Sequence, residues 1–117
     1  MVRAAILKSM RKDSRFDSCL VEIKVSKNAT LPSTALKEHQ RHALRIATES
    51  AMYFKIPDAG YQNPVDAFIM KKAQSYLVVY YEKPAVECWA VPIQNVPEGS
   101  MHIDHARGGG LRVELST

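Results

Sequence analysis

Cysteine is scarce: Cys19 and Cys88 stand alone in 117 residues, with no CxxC pair and no Cys/His cluster. That spacing excludes a zinc finger or ribbon and a disulfide-built scaffold, and it points to a reducing compartment. Long apolar runs are also missing. The longest strongly apolar stretch, residues 76–81, is far too short to cross a bilayer. The first residues lack a signal-peptide core with a cleavage site, so the expectation is a soluble, cytoplasmic protein with no membrane partner. There are no internal repeats and no low-complexity stretch. No GxSxG elbow marks a nucleophilic serine, and the triplet Gly108, Gly109 and Gly110 lacks the GxxxxGK(S/T) pattern of a phosphate loop.

What is present is a chain of one-domain size, 1–117, whose 46% apolar content is enough for one modest core. Sixteen basic residues against twelve acidic ones give a net charge of +4. The balance favours contact with a polyanion such as nucleic acid, and it is equally the charge of many ordinary small proteins.

The pattern along the chain alternates strands and helix. Residues up to 12, with Arg3, Lys8, Arg11 and Lys12 among Ala4, Ala5, Ile6, Leu7 and Met10, read as a basic amphipathic helix or as a strand and turn. Residues 16–25 are rich in β-branched and aliphatic side chains and predict a strand. A strand's period of two puts Leu20, Glu22 and Lys24 on one face. Pro32 closes a loop, and Ser33 or Thr34 serves as a helix N-cap before a helix to Glu49. On that helix Leu36, Gln40, Ala43, Leu44 and Ala47 share a face, with Lys37, Arg41 and Arg45 as a basic stripe beside it. Further strands are predicted at 52–56, 65–70, 76–81 and 87–93, with 71–75 and the Lys83-Pro84 pair as turns. The glycine triplet predicts a flexible turn before a last strand at 111–115. The fold class implied is α/β with a mixed central sheet.

The sharpest chemical signal is Glu22-Ile23-Lys24. A carboxylate and an ammonium two residues apart on a strand project to one face about 7 Å apart. Such a pair suits metal-assisted hydrolysis, the carboxylate holding a divalent ion and the lysine orienting water or stabilising charge on a phosphate. ExK by itself is a common tripeptide, read most simply as an exposed ion pair. Here a helix follows it, bearing the His39-Gln40 pair. The segment 21–44, VEIKVSKNATLPSTALKEHQRHAL, resembles the PD-(D/E)xK nucleases, and in particular RecU-type and related phage Holliday-junction resolvases, whose ExK strand is followed by a helix with a His-Gln pair.

The resemblance implies a restriction-endonuclease-like sheet, a Mg²⁺ requirement (with Mn²⁺ as a substitute), cleavage of branched DNA, a phage origin, and a homodimer with two symmetric sites. Two upstream acids, Asp13 and Asp17, occupy the usual place of the second carboxylate. Asp17 has the wrong strand parity, and Asp13 lies in the charged stretch MRKDSRFD. The segment 54–72, FKIPDAGYQNPVDAFIMKK, looks more like the family's remaining motif, displaced to follow ExK. The resemblance therefore implies a rearranged order in which Asp66 is brought beside Glu22 and Lys24 by sheet pairing. It adds the Ile23 carbonyl and Asp58 as further metal ligands and Gln40 as a substrate or supporting contact. Lys37, Arg41, Arg45, Lys71 and Lys72 are then the expected DNA contacts. Residues 75–96 and 102–115 resemble the family's closing strands and tail.

Other constellations are weaker. His39 with His42, and His102 with His105, lack a neighbouring carboxylate or thiol at ligand spacing and read as surface histidines. Tyr53, Tyr61, Tyr76, Tyr80, Tyr81 and Trp89 fall mostly in strands, where packing is the expected role rather than base stacking. The alternatives kept open are a related nuclease acting on flaps, ends or plain duplex; a non-catalytic nucleic-acid-binding protein of the same fold; and a small protein in which EIK is a surface accident.

Overall fold

The computed structural model describes residues 2–17, 19–49, 52–55, 68–71 and 74–115, the stretches 52–55 and 68–71 by their backbone. Helix α1 (Val2–Arg11) leads through a short 3₁₀ turn, Ser14–Phe16, into strand β1 (Leu20–Ser26). Then follow β2 (Thr30–Leu31), α2 (Glu38–Glu49), β3 (Met52–Lys55), β4 (Phe68–Lys71), β5 (Ser75–Tyr81), β6 (Glu87–Pro92), β7 (Met101–His102), α3 (Ile103–Gly109) and β8 (Leu111–Arg112). The opening segment, open between helix and strand from its sequence, is a helix because Ile6, Ser9 and Met10 bury one stripe while its cations stay outside.

The main sheet runs β1-β5-β6-β8, with β1 parallel to β5 and the other pairs antiparallel. A parallel pair needs a crossover, and the chain between β1 and β5 includes α2. Strand β5 is the hub, paired on both edges and buried along almost its whole length. Its unbroken apolar run, rather than an alternating one, follows from having both faces covered. One face carries Ile23, Tyr76, Val78, Cys88 and Ala90 under Ile6 and Met10 of α1. The other carries Leu77, Val79, Tyr81 and Val91 against Leu44 of α2 and Ile103 and Ala106 of α3. The result is an α/β fold with a mixed sheet between helices. Fully burying each such aliphatic side chain contributes roughly 1.5–3 kcal/mol. No helix among the described residues is long and apolar enough to cross a membrane.

Three expectations change. Helix α2 begins at Glu38, not after Ser33 or Thr34, because residues 33–36 form a turn that drops Leu36 into the core. Its N-cap is Lys37, whose carbonyl accepts the Gln40 and Arg41 amides at 3.0 Å each. Strand β4 pairs with β3, Met52 opposite Lys71 and Lys55 opposite Phe68, while β5 turns to β1 and β6. The glycine triplet is not a flexible turn: Gly108 and Gly109 complete α3 and Gly110 caps it. A Cβ on Gly110 would sit 2.8 Å from the Ala106 carbonyl oxygen and 3.0 Å from that of Ala90, so close backbone approach demands glycine there.

Candidate functional site

Strand parity is settled by the hydrogen bonds at the two ends of β1. The Leu20 amide donates to the Gln74 carbonyl at 3.3 Å, and the Ser26 carbonyl accepts from the Glu82 amide at 2.9 Å. Even-numbered residues therefore aim their peptide groups at β5, and Ile23 aims its own at the opposite edge. In register, Glu22 lies beside Leu77 and Lys24 beside Val79, two of the β5 residues on the α2 face. Their side chains are half-buried, 27% and 21% exposed, and Lys24 Nζ stands 3.5 Å from Glu22 Oε1. The expected shared face of Leu20, Glu22 and Lys24 is formed, with Leu20 at its solvent-exposed end.

Gln40 joins them from α2. Its Nε2 donates to Glu22 Oε1 at 3.3 Å, while its own Oε1 accepts the Lys37 backbone amide at 3.0 Å. This second contact is the returning half of a capping box, in which the third helical residue satisfies the N-cap amide. The amide is thereby held in one orientation. Its carbonyl end is engaged by the helix terminus, so its NH₂ end faces the carboxylate. Ammonium and amide both converge on Glu22 Oε1, and among the described residues no hydrogen bond is made to Oε2.

The Ile23 carbonyl, expected as a metal ligand, accepts a hydrogen bond from Arg3 Nη2 at 3.1 Å. Arg3 was no part of the sequence reading. The contact spans twenty residues and carries no local signature.

Asp66, Asp58 and Lys72 lie outside the described residues. The described part of the Asp66 strand, β4, pairs with β3, and the pairing partner of β1 among the described strands is β5. Direct pairing of that strand with β1, the expected route for Asp66, is thus not formed among the described residues. Upstream, Asp13 is committed elsewhere. It caps the 3₁₀ turn through the Arg15 amide at 3.0 Å and pairs with the Arg15 guanidinium at 2.6 Å. That guanidinium holds its carboxyl below the usual aspartate range. Asp17 is exposed at the end of the same turn.

Magnesium prefers an octahedral shell of hard oxygens. Among the described residues no group of three or more His, Cys, Asp or Glu side chains could hold a metal ion. Glu22 offers one carboxylate, and Arg3 takes the neighbouring carbonyl. By themselves these residues do not fit a magnesium site.

The basic stripe of α2 is also corrected. Lys37 is exposed, but Arg41 is only 4% exposed, because its position on the helix turns it onto the segment after β6, where Nη2 donates to the Pro97 carbonyl at 3.0 Å. Arg45 is paired with Glu98 at 2.8 Å. Of Lys71 the backbone alone is described, in β4. His39 and His42 are exposed on α2. His102 caps α3, its Nδ1 accepting the Asp104 amide at 3.1 Å, and His105 Nε2 lies 2.7 Å from the Asn95 carbonyl. Tyr76 and Tyr81 belong to the core, the Tyr81 hydroxyl donating to the Met101 carbonyl at 2.9 Å.

No protein-family model, no curated protein and no solved structure matches this chain.

Proposed function

We propose that this protein is a metal-dependent DNA endonuclease of the PD-(D/E)xK type, with a restriction-endonuclease-like sheet, acting on branched DNA in the manner of a Holliday-junction resolvase. The observation that carries the reading is the convergence of Lys24 and Gln40 on one oxygen of Glu22, on a strand that crosses over through α2 to a parallel neighbour. An accidental surface ion pair has no need of a third side chain locked in a single orientation by a helix terminus.

In this reading Glu22 presents its Oε2 to the reacting centre while its Oε1 stays anchored. Lys24 lies beside it, placed to orient a water molecule or to stabilise charge developing on a phosphate oxygen. Asp66, with Asp58, is the proposed source of the acids absent beside Glu22 among the described residues. Mg²⁺ or Mn²⁺ is the proposed cofactor, and a twofold dimer the proposed assembly for paired cuts in a symmetric junction.

The test is Mg²⁺-dependent cleavage of a labelled four-way junction, a matched duplex and a flap by the wild type, Glu22→Gln, Lys24→Ala and Asp66→Asn. Junction-selective cutting lost in all three variants supports the full proposal. Cutting of duplex or flap in preference to the junction makes the protein a different nuclease of the same type. Activity that survives Asp66→Asn removes Asp66 from the site. DNA binding with no cleavage by the wild type leaves a non-catalytic nucleic-acid-binding protein.

A further inference from the structure

We infer that the solvent face of α1 and the turn that leaves it, through Arg3, Lys8, Arg11 and Lys12, form the surface that grips the nucleic-acid backbone. This deepens the nuclease proposal and rests on it.

Projected at about 100° per residue, Arg3, Lys8 and Arg11 occupy one side of the helix and the buried Ile6, Ser9 and Met10 the other, and Lys12 follows in the turn that leaves it. All four are exposed, and none takes part in any of the ion pairs among the described residues. The segment from Val2 to Lys12 contains no acidic residue. On α2, by contrast, Arg41 is buried and Arg45 is neutralised by Glu98.

The helix dipole does not account for the whole pattern. Lys8 and Arg11 in the last turn complement the negative end of α1, but Arg3 stands in the first turn, where a cation opposes the dipole. Arg3 is instead held at the strand that carries the site, its Nη2 on the carbonyl between Glu22 and Lys24. One guanidinium thus links the basic face to the edge of β1, the strand whose opposite face carries Glu22 and Lys24.

The occupant follows from what the helix has left to offer. An anionic membrane would require an apolar face to insert, and that face of α1 is already consumed in the core with Phe16, Ile23 and Tyr76. What remains is a row of long, flexible cations, suited to a polyanion of regular charge spacing.

The experiment is fluorescence anisotropy of labelled four-way junction and duplex DNA across a salt series, with Ca²⁺ in place of Mg²⁺. The proteins are the wild type, the triple variant Lys8→Gln/Arg11→Gln/Lys12→Gln, Arg3→Gln, and Lys83→Gln as an exposed cation elsewhere. Circular dichroism verifies that each is folded, glutamine being a good helix former. The inference expects the triple variant to weaken binding at least about tenfold and to flatten the slope of log affinity against log salt by about 2 to 3. Arg3→Gln is expected to weaken binding in the same direction, and Lys83→Gln to stay within about twofold. A wild type that binds and cuts DNA with an unchanged triple variant overturns the α1 surface and spares the nuclease proposal. Equal weakening by Lys83→Gln reduces the effect to net charge and overturns it too. Binding of α1 to phosphatidylserine vesicles with none to DNA overturns both.

Discussion

The two faces of the central sheet are built to different rules. Beneath α1 the contacts are almost wholly apolar, from Ile6 and Met10 down to Tyr76, Val78 and Ala90, and the charges of that layer are pushed outward to solvent. Beneath α2 the apolar core is interrupted at one edge by Glu22, Lys24 and Gln40, three polar groups that satisfy one another in a half-buried setting. One face spends its cations on the outside. The other keeps a cation half-buried, next to a carboxylate that also accepts from a helix side chain. The difference teaches where to look for chemistry, and five measurements sharpen or break it.

The largest effects are expected in the core. Leu77→Ala on the α2 face and Ile6→Ala on the α1 face each destabilise by about 2–5 kcal/mol, read from urea unfolding, because both side chains are fully buried. If the two faces differ as described, neither change alters cleavage once the protein is folded. Next, Glu22→Gln leaves the fold intact and lowers cleavage at least about a hundredfold, worth roughly 2.7 kcal/mol. A Glu22→Gln protein that cuts normally would erase the distinction between the faces. Gly110→Ala comes third, expected to cost about 1–3 kcal/mol in unfolding experiments, since the new methyl meets the Ala106 and Ala90 carbonyls.

Gln40 offers a finer discrimination. Glutamate at that position keeps the cap on Lys37 but loses the donor to Glu22. Gln40→Glu is therefore expected to lose activity and some stability, its new carboxylate standing against that of Glu22, while Gln40→Leu loses the cap, about 1 kcal/mol, and activity. Full activity in Gln40→Glu would show that Gln40 only starts the helix.

The smallest effect is a pH dependence at the far end of the sheet. There Arg107 of α3 grips Glu87 of β6 through two hydrogen bonds, and the Trp89 indole adds a third at 3.0 Å. The Arg107 guanidinium, with Trp89, holds the Glu87 carboxyl down at about 2, against an ordinary value of 4.5. A carboxyl whose folded value is depressed contributes its stability above the unfolded value and loses it as pH falls from about 4.5 towards 2. Glu87→Gln should flatten stability against pH across that window. Thermal unfolding of both proteins from pH 6 down to pH 3 (about the acid limit of a reversible melt) measures it.

Much of this was legible in the chain. The run SYLVVYY announces a strand covered on both sides, the parity of LVEIK places Glu22 and Lys24 together, and the spacing of Gln40, Leu44 and Ala47 turns Gln40 towards them, although Leu36 lies before the helix and Ala43 is exposed. Periodicity reads such relations because they are local: two residues per strand repeat, about 3.6 per helical turn. Helix α3 was missed because the glycine triplet masks its end, and of the three it is Gly110 that the backbone of β6, lying against the cap, demands.

What the sequence determined by itself, then, is part of the local grammar: the strands of the main sheet from β1 to β6, the middle helix, and that an acid, an ammonium and an amide share one side of their elements. Only the tertiary structure decided which charges are free. Arg41 and Arg45 read as an exposed stripe until the segment after β6 covers one and pairs the other, and Arg3 reads as an ordinary N-terminal cation until the fold carries it to the Ile23 carbonyl. Burial and pairing depend on elements tens of residues away, and that distance is what a local pattern cannot encode.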